Sequence, residues 1–120
     1  MSGAGPRLWP VSLDTRWLGR EHRLEAEVAS TNDFAWSWAT EPHPAPHGAV
    51  VVAEIQNAGR GRQGRRWTSG TGDLHVSIIL RPEVPLAELL AWPLVVGSGL
   101  AKCLELDARI ARIGLKWPND

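Results

Sequence analysis

Tyrosine is absent from this 120-residue chain, while phenylalanine, cysteine and methionine occur once each. Thirteen basic residues are balanced by thirteen acidic ones, so there is no net charge. Each scarcity excludes something. One cysteine builds neither an internal disulfide nor a four-thiolate zinc site, and nothing argues for an oxidising compartment. A protein that lives by non-specific nucleic-acid binding carries a marked basic excess, which is missing here. The opening residues hold no apolar segment of secretory type. The most apolar stretch, residues 89–96, is short and broken by Pro93, so no membrane span is expected. A cytoplasmic location follows as the expectation.

What the chain does have is 43% hydrophobic residues, 12 glycines, 9 prolines and seven tryptophans. That suits one folded domain and is too short for two ordinary ones. Residues 1–20, with Gly3, Gly5, Pro6 and Pro10, show no period and are expected to be an irregular leader. Residues 21–120 form the folded part. Leu24, Ala26 and Val28 alternate with Glu25 and Glu27, which predicts a half-buried strand over residues 23–29. Ser30, Thr31 and Asn32 are helix-capping types, and a helix is expected over residues 34–40, with Trp36 and Trp38 on different faces.

Three prolines between Glu41 and His47 forbid regular structure there. Residues 48–55 are an unbroken, β-branched apolar run, expected as a strand buried on both faces. A further strand is expected over residues 74–80. A helix should run from Pro93 to about residue 106, with Val96, Leu100, Cys103 and Leu104 turned inward. Ile113, Leu115 and Trp117 alternate as a last strand entering Pro118, Asn119 and Asp120. The order β-α-β-β-α-β predicts an α/β or α+β layered fold.

The Gly/Arg segment, residues 57–72, has no period of its own. Gly59, Gly61 and Gly64 match the dinucleotide fingerprint as a string, but that fingerprint must open a helix, and these residues lead into a strand. A P-loop fails as well, because Arg65 and Arg66 stand where Lys and Ser/Thr are needed. Two chemical readings stay open: an arginine–glycine nucleic-acid patch, with Trp67 stacking on a base, or a loop folding over a small anion. A solvated loop without function is the bland alternative. His43 and His47 share no face and have no third ligand, and Cys103 suits an apolar core. His75 receives no catalytic role.

The flanking residues decide between these. Ser30-Thr31-Asn32 is followed by Gln56-x-x-Gly59-Arg60-Gly61-Arg62-x-Gly64-Arg65-x-Trp67, then by Leu74-x-x-Ser77, then by Lys116-Trp-Pro-Asn-Asp120. This ordered set resembles the biotin–protein ligase family over residues 24 to 120, covering the front part of the family's catalytic domain. The resemblance implies a mixed β-sheet backed by helices, of the biotin/lipoate ligase type and similar to class II synthetases, here incomplete at its C-terminal side. It implies that biotin and Mg-ATP give biotinyl-5′-AMP and pyrophosphate. Transfer to a lysine of a biotin carboxyl carrier protein, as in acetyl-CoA carboxylase, follows.

By the same resemblance, Ser30, Thr31, Asn32 and Gln56, with backbone groups at Gly59, Arg60 and Gly61, would hold biotin's ureido ring. Trp67 would wall its apolar part. Arg62 and Arg65 would meet the carboxylate and phosphate of the adenylate, Lys116 the α-phosphate, and Asn119 and Asp120 the triphosphate. Asp120 would be the Mg²⁺ ligand, as a hard cation prefers oxygen donors. With only about twenty residues ahead of the match, no helix-turn-helix domain and no DNA partner are expected. The second lysine and the small β-barrel of the family lie beyond the matched part. The expected partners are therefore a second copy or a separately encoded C-terminal half. Lipoate–protein ligase, which shares fold and adenylation chemistry, and a non-catalytic nucleic-acid module are the alternatives.

Overall fold

A computed structural model describes residues 13–70, 72–106 and 112–116. The chain divides into two compact units, Met1–Pro82 and Glu83–Asp120. In the first, β1 (His22–Val28), β2 (Val50–Gln56) and β5 (His75–Ile78) form one sheet in the order β1-β2-β5. β1 runs parallel to β2, with Leu24 opposite Val52, and β5 runs antiparallel to β2, with Ser77 opposite Val51. The sheet is therefore mixed, as expected.

A parallel neighbour needs a crossover connection, and α1 (Thr31–Ala39) supplies it between β1 and β2. The helix starts at Ser30, whose backbone is extended and whose side-chain oxygen accepts the Asp33 N–H at 3.4 Å. This start is three residues earlier than the sequence suggested, because Thr31 and Asn32 belong to the first turn. The helix lays Ala35 and Trp38 on Ala49, Val51 and Ile79, and this cluster is the core of the unit. Trp36 faces outward at 74% exposure, so the two tryptophans do lie on different faces. Arg23 places its guanidinium 4.3 Å from the Trp38 ring centroid and pairs with Glu41 at 3.7 Å.

β2 is buried from Val50 through Ala53 on both faces, matching its apolar run. On β1 only Val28 is fully buried, and Leu24 is half exposed. The proline-rich connection is held by Arg81, whose Nε and Nη2 donate to the Ala45 carbonyl at 3.0 and 2.7 Å. Nη2 also reaches the Ala39 carbonyl at 2.9 Å. His47 is more than a solvated loop residue: its Nδ1 accepts the Arg81 N–H at 2.8 Å, and its ring stacks on Trp17 at 4.7 Å. Residues 13–20 are irregular but tied down, with the Gly19 N–H donating to the Gly48 carbonyl at 2.8 Å. Gly48 has a φ of +88°, and an added Cβ would be driven into the Trp17 indole.

The periodless segment contains a small hairpin, β3 (Gly59–Arg60) paired with β4 (Arg66–Trp67) around one 3-10 turn, Arg62–Gly64. Two-residue strands are too short for any period to register.

The second unit holds a 3-10 stretch, Leu86–Ala91, that runs into α2 (Trp92–Leu106). The inward positions differ from expectation. Ala101 is the buried residue of α2, while Val96, Leu100 and Leu104 are exposed and Cys103 is free and exposed. α2 is apolar nearly all round, so periodicity does not select a face. By length and composition, Leu86–Leu106 is one helical stretch apolar enough to cross a membrane, which also differs from the sequence expectation. The two helical pieces together outrun the short stretch bounded by Pro93, since proline is well placed in a first helical turn. Among residues 112–116 there is no strand, and the Ile113 N–H donates to Glu105 Oε1 at 2.9 Å. Trp117, Asn119 and Asp120 lie outside the described residues.

Candidate functional site

Where β1 gives way to α1, where β2 ends and where β5 passes them, three short polar side chains meet. Gln56 Oε1 accepts both the Thr31 N–H at 2.8 Å and the Thr31 hydroxyl at 3.0 Å. Ser77 Oγ lies 2.9 Å from Thr31 Oγ1 and 2.6 Å from Asn32 Oδ1. Ser30, Thr31 and Ser77 are all buried. Buried polar groups cost free energy unless satisfied, and here each satisfies another.

The network fixes the direction of its dipoles. Gln56 Oε1 already takes two donors, which identifies the outer end of the amide as its NH₂ group. That nitrogen lies beside Gly59, where an added Cβ would come within 2.9 Å of it. The Ser77 hydroxyl, with one proton to give, lies within reach of both Thr31 Oγ1 and Asn32 Oδ1. The floor therefore offers the Gln56 amide donor, and a ligand presenting a carbonyl oxygen matches it.

This floor opens into a cavity of about 570 Å³, lined by Ser30, Thr31, Asn32, Gln56, Arg60, Trp67 and Ser77, with Thr68, Ser69, Asp73, Leu74, His75 and Val76. The size suits a small organic ligand. Trp67, 65% exposed, stands at its rim as the large apolar surface. The glycines of the hairpin serve two ends. An added Cβ at Gly61 would come within 3.1 Å of the Trp67 indole nitrogen, and one at Gly59 within 3.1 Å of the Trp67 Cβ, so Gly61 makes room for the ring and Gly59 for its attachment. Gly64 meets nothing within 4 Å but has a φ of +74°, so it serves the turn, beside Gln63 at +59°.

The sequence-predicted residues fall into three groups. Ser30, Thr31, Asn32, Gln56, Arg60 and Trp67 come together around the cavity, with Gly59 and Gly61 directly behind Trp67. Arg62 and Arg65 are exposed on the turn and do not line it, and Arg60 ion-pairs with Asp33. Lys116 belongs to the second unit, and Asn119 and Asp120 lie outside the described residues. Among the described residues no group of three His, Cys, Asp or Glu side chains is placed to hold a metal ion. Ser77 was missed as a site residue, although its strand carried part of the motif. The signal available was a serine set between Val76 and Ile78 in a strand.

Comparison with known proteins gives this arrangement a family. The profile of the biotin/lipoate A/B protein ligase family matches residues 26–120. The chain belongs to that family. Among its relatives, the bifunctional ligase/repressor BirA of Bacillus subtilis is 36% identical over 109 residues, covering 90% of this chain and 33% of its own length. The biotin–[acetyl-CoA-carboxylase] ligase of Paracoccus denitrificans is 37% identical over 73 residues, covering 60% of this chain and 30% of its own. The biotin protein ligase of Aquifex aeolicus, solved with biotin and ATP, superimposes with a TM-score of 0.67 at 36% identity, over 84% of this chain and 40% of that one. The mixed sheet and its helices thus match part of a biotin protein ligase catalytic domain. The chain spans about a third of the length of the curated relatives it matches.

Proposed function

We propose that this chain carries the biotin-recognition part of a biotin–protein ligase, acting in the cytoplasm on a biotin carboxyl carrier protein of acetyl-CoA carboxylase. The observation that carries the reading is the polar floor of Asn32, Gln56, Thr31 and Ser77 beneath Trp67, with the Gln56 NH₂ as its outward donor. A cyclic urea presents a neutral carbonyl and two N–H groups, which suit amide and hydroxyl partners. Its thioether ring and alkyl chain suit an indole wall.

In this reading Ser30, Thr31, Asn32, Gln56 and the backbone of Gly59, Arg60 and Gly61 hold the ureido ring. Arg62 and Arg65 meet the carboxylate and phosphate of the adenylate, and Lys116 is the proposed α-phosphate contact. Fixed cations are required because two anions must approach and charge then builds on the transferring phosphorus. ATP with Mg²⁺ supplies the leaving pyrophosphate. Asn119 and Asp120, outside the described residues, are the proposed triphosphate and metal contacts. Lipoate is the alternative acid within the family, and the relatives from Paracoccus denitrificans and Mycobacterium tuberculosis are named for biotin.

Calorimetric titration with biotin, then with biotin plus Mg-ATP, tests the proposal. Binding that tightens sharply with ATP, and that Arg62→Ala weakens, is the expected result. Indifference to biotin in a folded sample, or preference for lipoate, would overturn it.

A further inference from the structure

The Gln56 amide gives the cavity a donor, but a cyclic urea also brings N–H groups that need acceptors. Most side-chain oxygens lining the cavity are already engaged. Gln56 Oε1 takes two donors, Ser30 Oγ takes the Asp33 N–H, and Ser69 Oγ takes the Gln56 N–H at 3.1 Å. Thr31 Oγ1 and Asn32 Oδ1 both lie against the single Ser77 hydroxyl.

Asp73, in the loop before β5, is different. It is the one carboxylate among the described residues lining the cavity. Its Oδ2 accepts the Gly70 N–H at 2.9 Å, and its own N–H donates to the Gly70 carbonyl at 3.2 Å, so the two residues close a turn. Ser69, next to Gly70, holds the Gln56 backbone, which ties this turn to the strand end that carries the floor's donor. Asp73 Oδ1 has no donor among the described residues. No cation among them pairs with it either. Arg60, which also lines the cavity, ion-pairs with Asp33, and His75 directs Nδ1 to the Ala53 carbonyl at 3.3 Å.

We infer that Asp73 is a specificity-determining residue: its free carboxylate oxygen accepts an N–H of the ligand's ring and selects a cyclic urea over a ring without N–H donors. The inference rests on the biotin reading and deepens it. A ring that has no N–H, such as the dithiolane of lipoate, strips water from the carboxylate and returns no hydrogen bond. Asp73 also sets the direction of the ligand. A carboxylate inside the cavity repels the anionic end of an acid, while Arg62 and Arg65 lie outside it on the exposed turn. The donor-bearing ring therefore enters first, and the acid end stays toward the arginines.

The test titrates biotin into the full chain and into its Asp73→Asn variant by calorimetry, with lipoate as a competitor. Asparagine keeps an oxygen for the Gly70 N–H and puts an NH₂ where Oδ1 stood, so the turn survives while the acceptor becomes a donor. The urea midpoint should not move. Biotin should bind about tenfold more weakly, the modest end for a hydrogen bond to a charged group. Lipoate should compete no less well in the variant than in the parent. Parent-like biotin binding by Asp73→Asn would reduce Asp73 to a turn cap and overturn the inference, as would an equal loss for both acids. Either result leaves the biotin reading standing. Failure of biotin to bind the folded parent chain would overturn that reading, and this inference with it.

Discussion

The floor of the cavity and the hairpin at its rim solve opposite problems. At the floor, Thr31, Gln56 and Ser77 come from three elements and are far apart in sequence, yet their polar atoms close on one another. Thr31 and Ser77 are short, buried side chains with little rotamer entropy to lose, and their bonds to Gln56 and to each other fix the dipoles. At the rim, β3 and β4 are joined by two rungs, and Arg62, Arg65 and Arg66 are exposed. Ordering long solvated arginines costs conformational entropy, so they contribute to binding only once an anion offsets that ordering. Stability therefore resides in the floor, whereas charge recognition resides in the rim.

Substitutions can break or sharpen this contrast. The largest effect is expected for Gln56→Leu, which leaves two Thr31 donors without an acceptor and should cost about 2–3 kcal/mol in urea denaturation. Gln56→Glu sharpens the point, because it keeps the acceptor oxygen and removes the amide donor. Its unfolding free energy should stay within about 1 kcal/mol of the parent, while biotin binding is lost in the same calorimetric assay. Ser30→Ala, which removes the α1 cap, should cost about 1 kcal/mol, visible as a lower urea midpoint with an unchanged slope.

At the rim the effects shrink. Arg60→Ala removes an exposed ion pair with Asp33 and should cost no more than about 0.5 kcal/mol, a difference that salt should erase. Arg62→Ala should change stability by less than about 0.5 kcal/mol yet weaken binding of biotin with Mg-ATP. If Arg62→Ala destabilised the fold as much as Gln56→Leu, the division between floor and rim would be wrong.

Much of this was legible in the sequence, for physical reasons that vary by element. β2 was plain because burial on both faces demands an unbroken β-branched run. The helix start was legible only to within three residues, because Ser30, Thr31 and Asn32 are all capping types and the accepted Asp33 N–H alone singles out Ser30. The motif residues around the cavity were legible through resemblance, since a loop with no period says little by itself about where Gln56 and Trp67 meet. The hairpin was hidden by its two-residue strands. The outward aspect of α2 was hidden because a helix with leucine and valine on most sides has no preferred face to read. Ser77 was hidden because its role is a contact with Thr31 across 46 positions, and local pattern carries no information about so distant a partner.

The bond between Ser77 and Thr31 makes the cavity a gauge of strand registration. Side chains on a strand alternate between faces, so a slip of β5 by one residue along β2 would turn Ser77 away and bring Val76 or Ile78 under the start of α1. The hydroxyl, the imidazole of His75 and the Asn32 amide would lose their alignment together. A ligand held by this floor would then favour the native pairing over its one-residue neighbours, so recognition of a small molecule and proofreading of the sheet become the same event.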